Sequence, residues 1–131
     1  MVKLLYCILF VPVTLLAELC TDTRISFKYV CIEDSVEMFQ NISTSFKEEI
    51  TLYKTFAGKQ EPIAVWVMQN FSNKELIHDA YKQKVSLENA TILLQDFQIS
   101  DEGTYVILYK MSSKRKDIEL CALGEYSIIC L

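Results

Sequence analysis

The residues able to do chemistry are few and scattered. His78 is the sole histidine, so a Ser-His-Asp arrangement or a histidine-rich metal site has one imidazole to work with. Carboxylates stand at Asp34, Glu37, Glu48, Glu49, Asp96, Asp101 and Glu102, and no pair has a spacing that sets an acid against a base. Cysteines occur at 7, 20, 31, 121 and 130, without the close C-x-x-C pair of a metal site. No catalytic residue, cofactor or metal is expected, and His78 reads as a surface loop residue. Lys114-Arg115-Lys116 is the one basic run in a chain of net charge -4, which is too little for a nucleic-acid surface. What remains is covalent bridging, glycan attachment and contact with another protein.

The first two depend on export. Lys3, the apolar run from Leu4 to Leu16 and the small residue Ala17 have the pattern of a signal peptide at 1-17. The run is short for a membrane span, and no second run of 18 apolar residues follows. Residues 18-131 are then one domain with an N-terminal extension, expected to be secreted, extracellular and without a membrane span. Export removes Cys7 and leaves Cys20, Cys31, Cys121 and Cys130, an even number in an oxidising compartment, so two disulfides are expected. Three pairings are possible. N-x-S/T acceptors at Asn41, Asn70 and Asn89 are expected to lie on the surface and carry glycans.

Those sites must be held by strands. The chain is 51% hydrophobic and rich in Ile, Val, Phe, Tyr and Thr, and long 3.6-residue stripes are absent. Ile25 to Cys31, Val36 to Phe39, Glu49 to Thr55 and Ile63 to Gln69 read as strands. So do Glu75 to His78, Lys84 to Ser86, Ala90 to Leu94, Thr104 to Lys110 and Ile118 to Cys130. Gly58 to Pro62 reads as a turn, Ser112 to Asp117 as a charged loop, and Gly124 as a bulge. Short strands at regular spacing give an all-β, two-sheet antiparallel sandwich. Several strands are apolar on both sides. Val65, Val67, Val106 and Leu108 then lie outside, either through ordinary β propensity or as a protein-binding patch. Met68, Lys110 and the loop residues Lys114, Arg115 and Lys116 are the further candidates for partner contact.

Asp101-Glu102-Gly103-Thr104-Tyr105 stands 35 residues after Trp66, with Ile92, Leu94 and Phe97 ahead of it. This constellation resembles the E-strand, turn and F-strand of V-type immunoglobulin domains. The resemblance implies that the Tyr105 hydroxyl bonds back to nearby backbone, that Gly103 lets the turn approach closely, and that Trp66 is the buried residue of strand C. It also implies that Lys84 pairs with Asp101. Gln60 to Trp66, Ala80 to Val85 and Asn89 to Ile92 are similar to stretches of the OX-two membrane glycoprotein family; the T-cell costimulatory ligands share the corner motif.

The departure from the pattern is the B–F disulfide, which by this alignment would join the positions of Lys54 and Ile107. Some V-type domains of the CD-two and SLAM group also lack it. Ile107 can fill the space, whereas Lys54 must snorkel or strand B must shift register. The end cysteines would then bridge the N- and C-terminal strands. The resemblance implies an immunomodulatory binding protein that engages an immunoglobulin-superfamily leukocyte surface protein through the faces of strands C, C', F and G. Without a second domain or anchor, it would act as a decoy or competing ligand. A homophilic adhesion or structural module, with a homodimer, is the alternative; a truncated form of a cellular costimulatory ligand is another. The bias of 11 Lys over 2 Arg suits AT-rich coding, as in a virus that mimics its host, or in a divergent cellular homologue.

Overall fold

The computed structural model describes residues 26–45, 47–69 and 74–123. The signal segment, Cys20, Asn70, Gly124 and Cys130 lie outside them. Among the described residues nine strands follow in order: β1 (Ser26–Val30), β2 (Val36–Phe39), β3 (Glu49–Phe56), β4 (Lys59–Val67), β5 (Lys74–Ile77), β6 (Val85–Glu88), β7 (Thr91–Leu94), β8 (Gly103–Tyr109) and β9 (Arg115–Ala122). They form a six-stranded sheet, β1-β9-β8-β3-β4-β5, and a three-stranded sheet, β2-β7-β6. All pairings are antiparallel except β1 with β9. A parallel pair needs a long connection, and here the rest of the domain supplies it.

Alternation along each strand decides which side chains are enclosed. In β3, Ile50, Leu52 and Lys54 are buried, while Thr51, Tyr53 and Thr55 are half-buried. In β8, Tyr105, Ile107 and Tyr109 join the core. Across from them β7 contributes Ile92 and Leu94, and Phe97 is fully buried in the turn that follows. Removing an Ile, Leu or Phe side chain from water stabilises by about 1.5–3 kcal/mol. These central residues therefore bind the two sheets together.

Three local features differ from the sequence expectation. The β3–β4 turn is Ala57-Gly58, both at positive φ (50° and 79°), as a two-residue type I' hairpin requires. Lys59 to Pro62, expected as turn, are already strand. Pro62 is tolerated there because the β3–β4 register shifts beside it: Leu52 pairs with Ala64 and Tyr53 with Pro62. Ile63 is the extra residue of this bulge, which is why Ile63 and Ala64 are buried in succession. At the other hairpin, Arg115, Lys116 and Asp117 pair with Leu108, Ile107 and Val106, so strand begins where composition suggested loop.

The strand order also corrects the placement of two residues. β3 lies directly between β8, which carries the corner tyrosine, and β4. It is therefore β3 that occupies the strand C position, and Trp66, on β4, belongs to C'. Lys54 shares a sheet with β8, paired with Tyr105, and cannot occupy the strand B position. That position falls on β2, whose Val36 and Met38 are buried apolar residues. β2 is only four residues long, so the stronger pattern of β3 took its place in the count.

Candidate functional site

The corner is a small polar cluster inside the sandwich. The Tyr105 hydroxyl donates to the Asp101 carbonyl oxygen at 2.6 Å. The Asp101 carboxylate, 4% exposed, accepts from the Lys84 ammonium and from the Gln98 N–H at 2.8 Å. The Lys54 ammonium donates to the Ser100 carbonyl at 2.7 Å and lies 5.1 Å and 5.4 Å from the ring centres of Phe56 and Tyr105. Burial pushes the Lys54 ammonium below the usual lysine value, opposed by Asp101 and reinforced by Lys84. Burial and then Asp101 push the Tyr105 and Tyr81 phenols up. Gly103 has φ +136°, and a Cβ there would meet nothing nearer than Lys54 Cε at 3.8 Å. Its backbone angle, rather than close packing, is what calls for glycine. The cluster fixes β3, β8 and the loop before β8 to one another, and so sets the register of the larger sheet.

That register builds a surface on the side of the sheet facing away from the core. One row runs Arg115–Leu108–Thr51–Val65–Leu76 across β9, β8, β3, β4 and β5. The next runs Asp117–Val106–Tyr53–Pro62. On the other side, Glu49, Val67 and Lys74 stand in line. Leu76 is 72% exposed, far more than Tyr29, Phe56 or Ile99. Glu49, Thr51, Tyr53, Leu108, Lys110 and Ser113 line a shallow groove of about 400 Å³. Its charges are matched locally: Arg115 with Asp117 at 2.8 Å and Lys110 with Glu49 at 3.5 Å.

No protein-family model and no curated protein matches the chain. Solved structures do. The extracellular domain of the voltage-gated sodium channel beta4 subunit, whose parallel homodimers explain a role in cell-cell adhesion, is similar with a TM-score of 0.61 and 17% identity, over 79% of this chain and 94% of that one. The second Ig domain of the mouse polymeric immunoglobulin receptor gives 0.57 and 14%, over 76% and 97%. The CD2-binding domain of CD58 gives 0.55 and 15%, over 74% and 53%.

The fold is immunoglobulin-like.

In the lettering of such domains β1 is the first strand, switched onto the sheet of G, F, C, C' and C'', while B, E and D form the other sheet. The residues singled out from sequence divide accordingly. Val65, Val67 and Leu108 lie on the outer face and are partly exposed. Val106 has the outward parity but is 0% exposed, enclosed in the sheet between Tyr53 and Asp117. Met68 is 2% exposed and packs in the core with Trp66. Neither can meet a partner. Lys114, Arg115 and Lys116 are exposed, but Arg115 and Lys116 pair with successive β8 residues of opposite parity. The basic run is therefore split between faces. Thr51, Tyr53 and Leu76 were missed. Leu76 sits in the polar stretch Lys74-Glu75-Leu76-Ile77, and its one signal was an apolar residue on an edge strand.

Asn41 and Asn89 are exposed at turns, with φ 57° and 50°. Asn41 follows strand B. The Ile42 N–H donates to the Ala90 carbonyl at 2.8 Å, so the two acceptors stand side by side at one end of the smaller sheet. Cys31 is disulfide-bonded. Cys121, on strand G opposite Tyr29, is fully buried. Among the described residues no group of three His, Cys, Asp or Glu could hold a metal ion, and no helix is long and apolar enough to cross a membrane.

Proposed function

We propose that this is an extracellular protein-binding domain that contacts a second immunoglobulin-like domain through the outer face of its larger sheet. The observation that carries the reading is the row Leu108–Thr51–Val65–Leu76, in which apolar residues on β8, β4 and β5, the last an exposed leucine, flank a single threonine on β3. A solvated sheet face alternates to polar residues at such positions. An apolar centre with ion pairs at its margin is the composition of an interface core and rim. The fold neighbours support it by kind: one is described as a cell-adhesive homodimer and one as the CD2-binding domain of CD58. Of the three glycan acceptors, Asn41 and Asn89 lie at the end of the other sheet, and Asn70 is outside the described residues.

On this reading the secreted chain engages a leukocyte immunoglobulin-superfamily protein and acts as a decoy or competing ligand, in the manner of a viral mimic. The test is binding of the secreted protein to leukocyte ectodomains, repeated with Val65→Asp and Leu76→Asp. A charge at Val106 would not be informative, because Val106 is enclosed and the substitution would unfold the sheet. Binding lost in both folded variants supports the face; binding unchanged in both refutes it.

A further inference from the structure

We propose that the domain pairs with a second copy of itself, on a two-fold axis that runs along β4 between two facing outer faces. This rests on the reading of that face as a binding surface and names the partner. An isologous contact requires that what stands on one side of the axis fits what stands on the other. β4 has β3 on one side and β5 on the other, each about 4.8 Å away. Register then fixes the exchange. Val65 is flanked by Thr51 and Leu76, and Val67 by Glu49 and Lys74. Rotation about β4 sets Leu76 of each copy over Thr51 of the other, and Lys74 over Glu49.

Each of these meetings is complementary. Leu76 projects at 72% exposure, and Thr51 lines the shallow groove with Tyr53 and Leu108. The Lys74 ammonium meets the Glu49 carboxylate. Both contacts occur twice, and Val65 and Val67 stack on their own copies along the axis. Arg115 is paired with Asp117 within each copy, and the Glu49 carboxylate, 3.5 Å from Lys110 of its own copy, would be shared between that ammonium and Lys74 of the other. A strongly charged partner would find no net sign here to match. Sheets packed face to face keep their strands within about 30° of each other, which this axis satisfies.

The experiment is sedimentation velocity of the secreted full chain over a concentration series. Wild type is expected to dimerise reversibly. Lys74→Glu places like charges at both contacts, and so does Glu49→Lys. Each alone should weaken association by about tenfold or more. An equimolar mixture of the two variants should recover association, because each then meets the opposite charge on the other. Circular dichroism confirms that the variants, both at solvent-accessible sites, stay folded. Wild type that remains monomeric up to about 1 mM overturns the proposal. So does a dimer that both variants leave intact, or one that mixing fails to restore. A monomer that binds another immunoglobulin-like domain, and loses it on Leu76→Asp, overturns self-pairing while the face itself stands.

Discussion

Lys54 and Tyr105 are paired across β3 and β8, with the ammonium 5.4 Å from the centre of the ring. A lysine 3% exposed is held here by one carbonyl, two aromatic faces and the nearby carboxylate of Asp101. Replacing a buried cation by an apolar side chain of similar length is often neutral or stabilising. Lys54→Met should therefore leave stability unchanged or raise it by up to about 2 kcal/mol near neutrality. Burial holds the native ammonium below the ordinary value of 10.5. Between that depressed value and 10.5 the unfolded chain binds the proton and the native chain does not, so stability rises with pH there. Below the window both states are protonated and the full burial cost is present. Urea titrations at stepped pH should show wild type gaining on Lys54→Met as pH climbs through the window.

Asp101 holds more partners than its neighbours. Its carboxylate takes the Lys84 ammonium and the Gln98 N–H, and its carbonyl takes the Tyr105 hydroxyl. Asp101→Ala strands a partly buried cation and should cost about 3–5 kcal/mol. Tyr105→Phe removes one hydrogen bond and should cost about 1–2 kcal/mol. Chemical denaturation gives the order; equal losses would mean that the carboxylate's contacts are worth no more than the single corner bond.

The corner was legible because its residues are close in sequence and their roles are stereochemical. Lys84, Asp101 and Tyr105 are in contact, whereas Gly103 is required by its backbone angle and not by the close approach expected of it, and β2, β7 and β8 fall within a residue of their expected bounds. The lettering of strands was not legible, because it depends on which strands are neighbours in space. The Ile63 bulge inverts the alternation of β4, and nothing in Gln60-Glu61-Pro62-Ile63 announces it. Val106 shows that parity gives direction but not exposure. Leu76 escaped because one Leu-Ile pair between polar residues carries no periodicity.

Trp66 is 3% exposed and its indole N–H has no hydrogen-bond partner. Its value to the fold is therefore volume. Trp66→Ala should destabilise by about 3–5 kcal/mol, although the residue lies on C' rather than C. Trp66→Phe should cost clearly less, since no bond is lost. As the sole tryptophan it also reports folding by its fluorescence, which should shift to the red on denaturation. Similar losses for both substitutions would place the indole N–H in an unrecognised contact.

Export should leave covalent marks. The secreted chain is expected to begin near Glu18 and to carry glycans at Asn41 and Asn89, the adjacent turn positions. Intact-mass analysis before and after glycan removal, with Asn41→Gln and Asn89→Gln, should show one glycan lost per substitution. Non-reducing peptide maps should find Cys31 in a disulfide. Alkylation of Cys31 in the unfolded, unreduced chain would contradict this.

The central claim is that the outer face of the six-stranded sheet makes the contact. Hydroxyl-radical footprinting of the secreted protein, alone and with its partner or at self-associating concentration, tests it directly. The account predicts protection at Leu76, Val65, Tyr53 and Leu108, with the strands of the smaller sheet unchanged. Protection confined to the smaller sheet or to the Asn41–Asn89 end, with Leu76 as reactive as in the isolated domain, would contradict it.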